Sequence, residues 1–238
     1  MSFVRVCSAF AIASIALVGQ ARAQGRGRGR GDEAHPAPPP VSAQEQQRRI
    51  TEEHGRQQDY RNRLDSQIRA AQARQNQMQA QHHAAELAQQ QQYLEALQRQ
   101  RQQIAAERDY AHDPYITTPP SFRYRFNGVA RQTNQYGADV LRQGVNYGYQ
   151  EGYNQGVADR RDGLRSNYTN SFAYQDANYG YNGAYVPQSD YNYYFRQGFR
   201  RGYSDGYGSQ TRYGTFSNGS ASILGSVLSA ILGFTSIH

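Results

Sequence analysis

Two stretches decide how this chain is read: Arg142-Gln143-Gly144-Val145-Asn146-Tyr147-Gly148-Tyr149-Gln150-Glu151-Gly152-Tyr153 and Arg196-Gln197-Gly198-Phe199-Arg200-Arg201-Gly202-Tyr203-Ser204-Asp205-Gly206-Tyr207. They are offset by 54 residues, and seven of their twelve positions are identical. Glycine returns every fourth residue, at Gly144, Gly148, Gly152 and Gly156, then at Gly198, Gly202 and Gly206. On a helix this spacing makes a stripe without side chains, along which another backbone or an aromatic ring can approach. Period four also fits one face of a strand, so the neighbours decide. Arg, Gln, Asp and Glu between the glycines favour helix, as do Pro187 and Ser189 just ahead of the second copy. Each internal glycine costs about 1 kcal/mol relative to alanine, so tertiary packing must compensate. Rings such as Tyr149, Phe195, Phe199 and Tyr203 are expected to fill the grooves. The expected product is a small glycine-grooved helical module at 128–209.

Tyrosine dominates this region: 16 of the chain's 20 tyrosines lie between Tyr124 and Tyr213. Beside the packing role stands a binding one. Tyr149, Tyr153, Tyr203 and Tyr207 are candidates for stacking on sugars, and Arg142, Arg196, Arg200 and Arg201 for contacts to anions. The pattern at 196–207, preceded by Gly156 to Gly163, resembles uncharacterised exported bacterial proteins with paired Gly-Tyr repeats. That likeness covers residues 136–208. It implies a helical module and brings no activity with it.

Upstream, Ser42 and Glu45 have capping-box spacing, and residues 42–110 are rich in Gln, Ala, Arg, Glu and Leu, mostly good helix formers. A long helix is expected, with Gly55 as an early break. Tyr60, Leu64, Ile68, Ala71, Met78, Ala85, Leu94, Leu97 and Ile104 follow three- and four-residue steps, interrupted by Gln75, His82 and Arg101. Such a seam supports a coiled coil and a homo-oligomer. His82 and His83 are adjacent and point to different faces, without the i, i+4 spacing of a helical metal pair.

The remaining stretches read as linkers and a tail. Residues 24–41 alternate Gly with Arg26, Arg28 and Arg30 and then turn to proline. Three arginines make a tether rather than a nucleic-acid clamp, so nucleic acid is not an expected partner. Residues 111–127 and 210–221 read as linkers. Residues 222–238 are uncharged, with Gly225, Ser229 and Gly233 as a small-residue stripe along an apolar helix suited to internal packing or membrane contact.

The amino terminus carries Arg5, an apolar run from Val6 to Val18 and the small-x-small site Ala21-Arg22-Ala23. These are the parts of a cleavable signal peptide at 1–23, which places the protein in the periplasm, the cell envelope or outside the cell. Cys7, the one cysteine, falls inside that segment, so the mature chain has no disulfide. Loss of Arg5 and Arg22 takes the formal charge from +7 to +5, and every basic residue is arginine. Guanidinium suits phosphate, carboxylate and aromatic faces. No nucleophile–base set or ligand cluster is legible, and Asp159, Asp162, Asp176 and Asp190 read as caps and ion-pair partners. The sequence thus points to a mainly α, non-enzymatic envelope protein without a cofactor or metal, with substantial disorder. It acts as a scaffold through self-association and partner or membrane docking, or as a binder of anionic envelope glycan.

Overall fold

The computed structural model describes residues 41–80, 83–104 and 108–237. Residues 1–40, with the expected signal peptide and most of the expected linker, and His82 lie outside the described residues. The fold is mainly helical, and its centre is the repeat. Helix α3 (Gln135–Arg161) starts at Asn134, whose side chain accepts from Gly137 N at 3.0 Å. Helix α5 (Gln188–Gly208) starts after Pro187.

The two helices run parallel with their backbones in contact. A β-carbon at Gly148, Gly152 or Gly156 would stand 2.0, 2.1 and 2.5 Å from the carbonyl oxygens of Phe195, Phe199 and Tyr203. From the other side, Gly198, Gly202 and Gly206 meet the carbonyls of Val145, Tyr149 and Tyr153 just as closely. Gly144 differs: it faces the ring of Tyr191, 2.9 Å from where its β-carbon would be. The sequence stripe is therefore a contact between backbones, which only glycine permits. The large rings lie beside the groove. Phe195, Phe199, Tyr203 and Tyr207 stack successively along α5 at 6.3, 6.4 and 5.9 Å.

One flank of this pair is covered by α1 (Ala43–Ala80), α2 (Ala84–Gln103) and the short α4 (Phe172–Asp176). Ser42 caps α1, accepting from Glu45 N at 3.2 Å, and the helix runs through Gly55 without a break. Helix α2 packs against α1 and runs in the opposite direction. Arg101 pairs with Asp65 at 2.7 Å and Gln90 donates to Ala71 O, the order of an antiparallel hairpin. This corrects the expectation of one long rod. Tyr60, Leu64, Ala71, Leu94 and Leu97 are buried in the same core as Val140, Leu141, Val145, Phe195 and Phe199. The seam expected to bind a second copy instead covers the glycine pair of its own chain.

Polar residues in that hairpin are part of the interface. Gln100 donates to Asn178 O at 3.0 Å and Tyr181 O at 2.9 Å, and its Oε1 accepts from Gly180 N at 2.7 Å. One amide thus satisfies the backbone of a tight loop that has no regular structure of its own. Gln89 reaches the buried Glu151 carboxylate at 3.0 Å.

The stretches read as linkers form hairpins. Strands β1 (Phe122–Phe126) and β2 (Val129–Thr133) are antiparallel, as are β3 (Gly214–Ser217) and β4 (Ser220–Ile223). Both turn on Asn-Gly: Asn127 and Gly128 at φ 47° and 81°, Asn218 and Gly219 at 51° and 79°. Positive φ at both central residues defines the type I′ turn, whose twist matches that of paired strands.

The tail, read as a single helix from 222 to 238, is built from three pieces. After β4 comes α6 (Gly225–Leu232), which stops at Gly233 in the left-handed region, φ +54°. Then β5 (Thr235–Ser236) pairs with β1. Gly225 and Gly233 face open space and Ser229 is exposed, so this stripe is not a packing groove. Leu232 is buried, while Val227, Leu228 and Ile231 pack partly against the core. Among the described residues, no helix is long and apolar enough to cross a membrane.

Candidate anion-binding surface

Four carboxylates in the glycine module point inward and are held by tyrosine hydroxyls. Tyr93 donates to Asp176, Tyr124 to Asp190, Tyr149 to Asp205 and Tyr203 to Asp159, at 2.6, 2.8, 2.8 and 2.6 Å. All four acids are buried. Burial pushes these four phenols well above their ordinary pKa, and each hydroxyl stays protonated to serve as donor. This requirement for a buried donor explains why the core uses tyrosine where phenylalanine would fill the space.

The consequence is an asymmetry of charge from α5 to the carboxy end. The only acids there, Asp190 and Asp205, are 0% and 1% exposed, while Arg196, Arg200, Arg201 and Arg212 lie at or near the surface. Asp190 is occupied by Tyr124 and by Arg131 at 3.1 Å. Asp205 is occupied by Tyr149 and by the backbone N–H of Tyr213 at 2.8 Å. The second of these fixes the start of β3 and sets the Tyr213 ring on the surface.

That ring lies between two guanidinium groups, 6.0 Å from Arg201 and 5.2 Å from Arg212. Arg200 adjoins Arg201. Burial first, and then the neighbouring Arg200 charge, lower the Arg201 pKa, the mark of a cation lacking a compensating anion. Among the described residues, no ion pair involves Arg200, Arg201 or Arg212. One helical face of α5 continues the surface through Gln197, whose carbonyl accepts from Arg201 at 2.8 Å, to Tyr193. Tyr193 meets Phe126 of the first hairpin edge-on at 5.6 Å, and Arg131 covers Phe126 at 4.7 Å. Guanidinium groups and rings therefore lie side by side from Arg212 to Arg131, with Gln197 between Arg201 and Tyr193.

The residues singled out from sequence divide. Arg200 and Arg201 belong to this surface. Arg142 does not: it pairs with Asp139 at 2.6 Å and covers Phe122 and Phe234, fastening the tail to β1. Arg196 is spent on the carbonyls of Tyr174 and Gln175. Tyr149 and Tyr203 are corrections, because both are buried and offer no face to a ligand. Tyr207 is half-buried and donates to Leu164 O. Tyr153 is half-buried and stacks on Phe216 at 5.3 Å, and Phe216 is 50% exposed. Sequence reasoning passed over Tyr193, Arg212, Tyr213, Phe126 and Arg131. The Asn-Gly dipeptides were the available signal, since they predict the hairpins that carry the last four or set them in place.

Among the described residues, no group of three or more His, Cys, Asp or Glu is placed to hold a metal ion. Comparison with known proteins adds no assignment: no family model, curated protein or solved structure matches the chain.

Proposed function

We propose that this chain is a non-enzymatic, exported cell-envelope protein that binds an acidic polysaccharide along the surface from Arg212 to Arg131. The observation that carries the reading is the uncompensated set Arg200, Arg201 and Arg212, of which Arg201 and Arg212 lie against the Tyr213 ring. Guanidinium forks match carboxylates and phosphates, and rings take the apolar faces of sugars. A surface that carries both suits a chain of charged pyranose rings. Scaffolding through the 42–110 seam is the weaker reading, because the apolar residues of that seam are interior.

The test is affinity electrophoresis of the full chain in gels containing polygalacturonate or neutral dextran. Retardation is expected with polygalacturonate alone, decreasing with salt. The double substitution Arg201→Gln, Arg212→Gln is expected to weaken it about tenfold, the loss of roughly one charge-assisted contact. Equal retardation by dextran, or no effect of the double substitution, sinks the proposal.

A further inference from the structure

A cleft of about 490 Å³ opens on a different set of residues, sharing none with the arginine–tyrosine surface. Its size is within the roughly 300–1,000 Å³ of small-molecule sites. It is bounded by the end of α1, the start of α2, the end of α3 and the loop at 162–171. Its walls are fixed by hydrogen bonds. Asp162 holds the start of α2, accepting from Ala85 N at 3.1 Å and Glu86 N at 2.7 Å. Arg74 ties α1 to Asn170 O and, at 3.0 Å, to the Gln175 side chain.

Both signs of charge line it, Glu86 and Asp159 together with Arg74, His83 and Arg165. Glu86 meets His83 Nδ1 at 3.1 Å through one oxygen, Oε2. Asp159, 5% exposed, accepts from Tyr203 at 2.6 Å and Gln155 at 2.7 Å. A carboxylate has about four lone-pair sites, so both retain accepting capacity. Burial outweighs these partners and raises the pKa of each, so the existing contacts do not fully compensate the negative form. A cation brought into the cleft supplies what is missing. Arg74 is held by Asn170 and Gln175, whereas Arg165 is exposed and, among the described residues, makes no hydrogen bond or ion pair.

We infer that this cleft binds a small zwitterion with a free ammonium and a free carboxylate, as a dipeptide has, the ammonium directed to Glu86 and Asp159 and the carboxylate to Arg165. A purely anionic ligand would face the two acids, and a purely cationic one would leave Arg165 unused. The zwitterion is the class that satisfies both the acids and Arg165.

The experiment is calorimetric titration of the full chain with alanyl-alanine, N-acetyl-alanyl-alanine and alanyl-alanine amide, each to millimolar concentration. Blocking either terminus is expected to weaken binding at least tenfold. Arg165→Gln is expected to weaken alanyl-alanine about tenfold and leave the amide unchanged, because the amide already lacks the group that Arg165 meets. Arg165 is exposed in a loop, so an unaltered melting curve will show that the variant folds. Equal affinity of the amide and the free acid overturns the inference, as does an unbound alanyl-alanine. Because polygalacturonate binding reads a separate surface, failure here leaves the polysaccharide reading standing, and the reverse also holds.

Discussion

The α3–α5 pair and the α1–α2 hairpin hold their helices together by opposite means. In the first, side chains are deleted so that carbonyls of one helix sit against α-carbons of the other. In the second, long side chains bridge the gap, and Gln89, Gln90 and Gln100 are buried as bonding groups. The glycine pair gains close dispersion contact and loses helix propensity at every glycine. The glutamine hairpin keeps its propensity and must satisfy each amide it buries. The difference teaches where each region tolerates change: the first fails by steric overlap, the second by an unpaired polar group.

The largest expected effect comes from breaking the backbone contact. Gly152→Ala places a methyl 2.1 Å from Phe199 O, which cannot swing away as a side chain would. Separating the helices is expected to cost about 3 kcal/mol or more, beyond the propensity gained. Gly144→Ala meets the Tyr191 ring at 2.9 Å and is expected to cost less. Chemical denaturation of the two variants checks this order. Equal losses break the comparison, because they mean that the carbonyl contacts are no closer than a ring contact.

Glu151 is where the two regions meet, and it sharpens the contrast. It sits on α3, buried, with Gln89 of α2 as its side-chain partner. Burial outweighs that bond and raises its pKa from 4.5 to about 7. In the unfolded chain the carboxyl ionises near 4.5, so between these values the native state holds the proton more tightly. This contribution to stability is fully present below about pH 4.5 and is lost as pH rises through about 7. Glu151→Gln keeps an acceptor for Gln89 and removes the titration. The variant is expected to gain on the parent by about 3 kcal/mol on going from pH 4.5 to pH 8, at 1.36 kcal/mol per pKa unit. Melting curves of both proteins across that range measure it. A constant difference between them means that the interface admits water to the carboxylate.

The glycine pair was legible because its rule is local: a four-residue spacing, twice, with helix-forming neighbours. Which partner each glycine meets was not legible: rings such as Tyr149, Phe195, Phe199 and Tyr203 were expected in the grooves, and carbonyls of the facing helix occupy them instead. The hairpin was half legible. Periodicity identified Tyr60, Leu64, Leu94 and Leu97 as one apolar seam, but a seam does not state whether a second copy or the same chain covers it. The reversal between α1 and α2 has neither glycine nor proline to announce it. At the candidate surface, Arg200 and Arg201 were legible as cations. Their lack of counter-charge was not, because it depends on Asp190 and Asp205 being turned inward by Tyr124, Arg131, Tyr149 and the Tyr213 backbone.

The smallest expected effect tests the other half of the comparison. Gly55 interrupts a helix-favouring sequence, yet α1 continues through it, and nothing lies within 4 Å of where its β-carbon would be. Here glycine serves no contact, in contrast to Gly152. Gly55→Ala is therefore expected to stabilise the protein by about 1 kcal/mol, raising the melting temperature by roughly 2–4 °C. The same chemical change is thus destabilising in α3 and stabilising in α1, with the sign set by what the methyl meets. If Gly55→Ala instead destabilises, the glycine is needed for a bend or a partner at that point. The hairpin would then depend on backbone freedom as the central pair does, and the distinction between the two regions would narrow to their composition.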